Sequence, residues 1–150
     1  MQKSTIPLVI NKDRVFIIKD SINKKNLVVK LVNAVCDDLP ALNRDDIMAA
    51  ILKREQGIST TLDSGLSIPH ARIDDLTTFQ AAAAVLPEGI SDDYGLRIKV
   101  MLLFLSPSGQ AYFSQHLKLL AALAEQFNTA FIDTLCACKN EEEILKTLSF

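Results

Sequence analysis

Histidine and cysteine, two residue types that often carry protein chemistry, are scarce here: two of the first and three of the second in 150 residues. Cys36, Cys136 and Cys138 form an odd set without the paired spacing of a disulfide framework or a zinc site, so free thiols are expected. Cys136 and Cys138 make a C-x-C, which in principle holds a soft metal. No second Cys or His pair stands near to complete such a site, and no metal is expected. Long hydrophobic runs are missing too. Ala81–Leu86 and Val100–Leu105 are the longest, far below the roughly 18 to 20 residues of a membrane span. Ile6–Ile10 is apolar but shorter than a signal-peptide core, and no small-residue cleavage site follows it, so a cytoplasmic chain without membrane insertion is expected. No basic stripe or tail stands out, which removes support for nucleic-acid binding. Internal repeats, low-complexity tracts and linkers are absent as well.

What remains is the composition of an ordinary globular protein: 49% hydrophobic, 23% charged, formal net charge -2. The length suits one domain, 1–150, with a sizeable core.

Periodicity divides that domain into alternating elements. Val15–Lys19 is β-branched and aromatic, a short strand ending at Asp20 and Ser21. From Lys24 to Cys36, residues Leu27, Val28, Leu31, Val32 and Val35 fall on one helical face. Leu39 and Pro40 interrupt that pattern, and a second helix runs from about Asn43 to Gln56, with Ile47, Met48, Ile51 and Leu52 as its buried stripe, Gly57 as its stop and Arg54 at the stripe's edge. Between Gly57 and Arg72 the helical period disappears. Ser59–Leu62 and Leu66–Ile68 read as short β pieces around a turn at Asp63, Ser64 and Gly65. Gln80–Leu86 and Arg97–Leu105 are longer strands joined by Pro87–Gly95, the second apolar enough to sit centrally in a sheet. A helix over roughly Ala111–Phe127 should bury Leu117, Leu120, Ala121 and Ala124, with Leu119 and Leu123 beside them. Two more helices follow, over about Thr129–Cys136 and from Asn140, whose side chain suits a cap before the acidic turn Glu141–Glu143 and the apolar Ile144, Leu145 and Leu148.

His70 follows Ile68 and Pro69. Proline fixes its own φ and biases its predecessor toward extended geometry, so His70 leaves a stiff, well-defined exit. A pre-aimed imidazole is what phosphoryl transfer needs, since that chemistry rests on positioning and electrostatics. Taken alone, His70 serves equally well as an incidental surface residue. His116, three residues before Leu119 and seven before Leu123, lies at the border of a packed stripe, where a satisfied core histidine is the simpler account. Arg54 is likewise explained by the helix macrodipole, which favours a cation in the last turn.

Their combination carries more. Ile51-Leu52-Lys53-Arg54-Glu55, then Gly57, Ser59 and Thr60, then Gly65-Leu66-Ser67-Ile68-Pro69-His70, resembles the signature of the Enzyme IIA components of the bacterial phosphotransferase system, fructose–mannitol and nitrogen-regulatory (type-2) class. The apolar strand ending at Pro107, His116-Leu117 opening a leucine-rich helix, and the acidic last helix are similar as well, so the resemblance spans the chain from about Leu8 onward. It implies a single α/β domain, a central mixed β-sheet with helices on both faces, like the mannitol IIA. It also implies that His70 is phosphorylated on its ε2 nitrogen, that His116 supports it as a hydrogen-bonding neighbour, and that Arg54 balances the phosphoryl charge. Ser59 and Thr60 are weaker phosphoryl-binding candidates.

The implied donor is the phosphohistidine of HPr or of its nitrogen-branch counterpart. The implied recipient is a cysteine of an Enzyme IIB, unless the phosphoryl group is held as a regulatory signal; no cofactor is implied. The absence of a fused IIB or membrane segment leans the expectation toward regulation. In one place the chain departs from the pattern: Thr61, Leu62, Asp63 and Ser64 stand where the family has Gly-Ile-Gly-Asn, and only Gly65 is retained. That departure motivates the alternative of a binding module that kept the fold and lost the transfer. A two-histidine metal hydrolase lacks carboxylate or cysteine ligands at suitable spacing, Asp74 and Asp75 being read as a solvated turn.

Overall fold

A computed structural model of the chain describes residues 8–56, 60–92 and 94–148. Its centre is a mixed sheet built on a long antiparallel pair, β5 (Phe79–Ser91) and β6 (Arg97–Pro107), with Ala81 opposite Phe104 and Val85 opposite Val100. The short strands β1 (Leu8–Val9) and β2 (Val15–Ile17) run parallel to β5 along its outer edge. On the other side β3 (Leu66–Ser67) and β4 (His70–Ile73) run parallel to β6.

Both faces of β6 are covered, which explains why its sequence is continuously apolar instead of alternating. Val100, Leu102 and Phe104 join one buried cluster and Met101, Leu103 and Leu105 the other. The second cluster is closed by α1 (Lys24–Asp38) and α2 (Arg44–Glu55), the first by α3 (Phe113–Gln126), α4 (Thr129–Cys136) and α5 (Glu141–Leu148). Helices on both faces of a mixed sheet are thus the architecture. Asparagine side chains open four of these helices, Asn23, Asn43, Asn128 and Asn140 each accepting from the backbone N–H three residues ahead.

Three expectations change. The connection assigned to Pro87–Gly95 is shorter, because β5 continues to Ser91 through a register shift between Val85 and Ile90. Pro87, which has no N–H for the ladder, sits in that irregular stretch. The α3 stripe is rotated: His116, Leu119, Leu123 and Gln126 are buried, whereas Leu117, Ala121 and Ala124 are exposed. Two polar residues occupy the inner face, so counting only apolar side chains places it wrongly. On α2, Ile47 and Ile51 are buried, but Leu52 is exposed. The proposed stop at Gly57 lies outside the described residues.

Candidate functional site

Backbone pairing delivers His70 to a fixed place. Thr60 O accepts from Ile68 N, Leu62 N donates to Leu66 O, and Thr61 bridges Ser67, so residues 60–68 fold into a narrow clip. Gly65 turns the clip at φ +101°, a conformation that side chains with a Cβ resist. Its carbonyl accepts from Lys99 and Val100, tying the turn to β6. Beyond the clip, Pro69 O accepts from Phe104 N, and His70 starts β4 beside Phe104. His70 therefore belongs to a hydrogen-bonded ladder, and its relative exposure is only 5%.

The His70 ring lies almost parallel to Phe104, with centroids 5.2 Å apart and planes 8° apart. Its Nδ1 is 2.7 Å from Ile68 O. A carbonyl oxygen can only accept, so Nδ1 carries the proton and Nε2 keeps a free lone pair. Burial pushes the pKa of His70 below its ordinary value; the Ile68 hydrogen bond works against this shift and Arg54 adds to it. The His70 ring is consequently uncharged near neutral pH.

His116 comes from the opposite layer. Its ring centroid is 5.4 Å from that of His70, with the planes tilted by 54°, and 5.6 Å from Phe104. Desolvation pushes its pKa down to about 4, with the charges of His70, Arg72 and Arg54 acting in the same direction. Ser106 Oγ lies 2.7 Å from His116 Nδ1. Alternation along β6 explains the meeting, since Phe104 and Ser106 project to the face that α3 covers.

Arg54 occupies the last turn of α2, exposed and without a hydrogen bond or ion pair among the described residues. Its charge reaches both imidazoles, lowering the pKa of each. Glu55, the next residue, is held from two sides: Thr60 Oγ1 donates to Oε1 at 2.5 Å and Lys24 Nζ donates to Oε2 at 3.2 Å. Thr60 is thus buried and anchored by its hydroxyl. Ser59 lies outside the described residues.

Sequence reasoning picked His70, His116, Arg54 and Thr60 but passed over Ser106, Phe104, Glu55 and Arg72. The Arg72 guanidinium donates to Gly109 O at 2.8 Å and lies over the Phe113 ring, pinning the start of α3. Ser106 had one signal, as the polar residue that ends the apolar run Val100–Leu105.

Among the described residues no three His, Cys, Asp or Glu side chains converge as a metal site would require. What the arrangement offers is a lone-pair nitrogen in a shielded setting, a second neutral imidazole beside it, and an exposed cation whose charge acts on both rings. Such a set can accept and stabilise a small dianion without a metal.

Comparison with known proteins bears on the chain as a whole. The profile of the family described as "Phosphoenolpyruvate-dependent sugar phosphotransferase system, EIIA 2" matches residues 8–150. The mannitol-specific phosphotransferase enzyme IIA component of Staphylococcus aureus is 28% identical over 138 residues, covering 89% of this chain and 90% of that protein. Among solved structures, the nitrogen regulatory protein IIA-Ntr of Neisseria meningitidis superposes with a TM-score of 0.79 at 21% identity, covering 95% of this chain and 96% of that one. The Escherichia coli complex of enzyme IIA mannitol with phosphorylated enzyme IIB mannitol matches with a TM-score of 0.74 at 12% identity, over 95% of this chain and 99% of that chain. Among the described residues no helix is long and apolar enough to cross a membrane.

Proposed function

The chain belongs to the EIIA 2 family of the phosphoenolpyruvate-dependent sugar phosphotransferase system, and from that premise we propose that it is a cytoplasmic phosphoryl carrier whose acceptor atom is Nε2 of His70. The observation that carries this reading is the bond from His70 Nδ1–H to Ile68 O, which leaves Nε2 as the available nucleophile. In the proposed step the Nε2 lone pair forms a new N–P bond in line with the breaking N–P bond of a donor phosphohistidine. The donor's bonding pair returns to its own ring. His70 then keeps its Nδ1 proton, and its ring becomes positively charged beside the phosphoryl dianion. Ile68 O, already accepting from Nδ1–H, stabilises that charge. Arg54 supplies a planar, permanently charged fork for the phosphoryl oxygens, and His116 faces them from the other side. Ser59 and Thr60 are proposed as secondary, weaker contributors to phosphoryl binding.

The donor is a small carrier of the HPr kind, from the sugar or the nitrogen branch. Onward transfer to an Enzyme IIB thiolate forms an S–P bond and returns the N–P pair to His70. The likeness to an Enzyme IIA found complexed with Enzyme IIB supports that recipient. Retention of the phosphoryl group as a regulatory state is the form the reading takes in the nitrogen branch. Incubation with phosphoenolpyruvate, the general enzyme and a panel of HPr-type carriers should add one acid-labile phosphoryl group to the wild type and none to His70→Ala. A wild type left unmodified by every carrier overturns the proposal in favour of a binding module.

A further inference from the structure

Ser106 closes the apolar run of β6, fully buried at 0% exposure, and its Oγ sits 2.7 Å from His116 Nδ1. Two hydrogen arrangements fit that distance. If Nδ1–H donated, the hydroxyl hydrogen of Ser106 would be left in a dry interior with no other partner among the described residues, a cost that folded proteins avoid. If the hydroxyl donates, both groups are satisfied. The second arrangement leaves the lone pair on Nδ1 and, in a ring that burial keeps neutral, the proton on Nε2.

We propose that Ser106 is a positioning residue that holds His116 in the Nε2–H tautomer, so that the two imidazoles of the site are complementary: His70 presents a lone pair and His116 presents a donor. The use of this pairing rests on the reading of His70 as the phosphoryl acceptor; the tautomer itself does not. Once a phosphoryl group is attached to His70 Nε2, the N–H of His116 can donate to one of its oxygens. The opposite tautomer would turn a lone pair toward those oxygens and repel them. A neutral hydroxyl suits this task better than a carboxylate. An acidic partner would favour the imidazolium, whereas the serine orients the ring and leaves it uncharged.

The test is long-range proton–nitrogen NMR on the unphosphorylated, nitrogen-15-labelled chain at neutral pH, with His70→Gln separating the two ring systems. His116 should show an unprotonated, hydrogen-bonded Nδ1 and a protonated Nε2, and His70 the reverse. In Ser106→Ala the His116 Nδ1 resonance should lose its hydrogen-bond shift, and phosphoryl acceptance should slow by about tenfold, the equivalent of one net hydrogen bond. Ser106→Thr, which restores the hydroxyl, should recover both. Unchanged His70 signals in Ser106→Ala report an intact fold. A protonated Nδ1 on His116 in the wild type overturns the proposal. So does a Ser106→Ala protein with unaltered His116 resonances and wild-type transfer. A wild type that accepts no phosphoryl group fails the functional reading instead, while the tautomer measurement still stands.

Discussion

His70 lies flat against Phe104, ring to ring at 5.2 Å and 8°, and the two are also backbone partners across parallel strands. The same register that aligns the ladder therefore fixes the plane of the His70 ring and shields one of its faces. Phe104→Leu keeps an apolar filler but removes that wall, at a cost of about 1 kcal/mol from imperfect packing. Because burial is what depresses the His70 pKa, water entering beside the ring should move it back up toward its ordinary value. Transfer by the variant should then fall faster than wild type as pH drops from 7.5 to about 5.5, as read from the pH profile of phosphoryl acceptance. A profile parallel to wild type would contradict the shielding role.

Arg54 offers a clean separation of function from stability, since its side chain is exposed and unbonded among the described residues. Arg54→Ala should leave the unfolding free energy within about 0.5 kcal/mol of wild type. Phosphoryl acceptance should fall by about 100-fold, with Arg54→Lys recovering only part, because an ammonium cannot make the two-pronged contact. Full activity in Arg54→Ala would remove this residue from the mechanism.

Glu55 links α1 to the clip through Lys24 and Thr60, with both members of the ion pair nearly buried at 11% and 12% side-chain exposure. Glu55→Ala strands an unpaired ammonium and frees the Thr60 hydroxyl, so a loss of about 2 kcal/mol in urea unfolding is expected. Glu55→Gln keeps an oxygen for Thr60 and should transfer faster than Glu55→Ala. A double-mutant cycle with Lys24→Met should return a coupling of about 1 kcal/mol, and no coupling would show the pair to be inert.

At Gly65 the cost of a side chain is conformational and not steric. An added Cβ would meet Lys99 Cβ at an ordinary 3.6 Å, but the backbone sits at φ +101°. Gly65→Ala should lower stability by about 1 to 2 kcal/mol and loosen the clip, read as faster amide exchange at Ile68. Unaltered protection there would mean that the turn does not set the clip.

Acid should weaken the fold in a defined window. The His116 pKa falls from an ordinary 6.5 to about 4 in the folded chain, so between those values the unfolded chain holds the proton and the folded chain does not. Stability should then decline as pH falls from about 6.5 to 4 and gain nothing from this group above that range. His70, depressed in the same direction, adds to the slope. In denaturant unfolding across pH, His116→Gln should flatten the curve relative to wild type; an identical slope would contradict the shift.

Much of this was legible beforehand, for physical reasons. The α1 stripe was plain because Leu27, Val28, Leu31, Val32 and Val35 are all apolar and all buried. The approach to His70 was plain because Pro69 restricts its own backbone and its neighbour's. The α3 face was misplaced because its inner positions include two polar residues, His116 and Gln126, and the Ser106 partner that holds His116 lies in β6, where periodicity along the helix does not reach. The length of β5 was underestimated because Pro87–Gly95 read as a connection, yet a register shift absorbs Pro87 within a ladder that continues to Ser91. Ser106 was passed over for a related reason: its importance lies in a contact ten residues away that exists only once α3 lies on the sheet.

The site joins the clip before His70, the end of β6 and the first turns of α3. No contiguous stretch of sequence contains it. On the proposed reading, a nascent chain that has exposed His70 but not yet His116 holds the acceptor atom without its setting, and a half-folded copy should draw little phosphoryl from the donor. Phosphorylation of this chain would in that case double as a certificate of completed folding, readable from a gel.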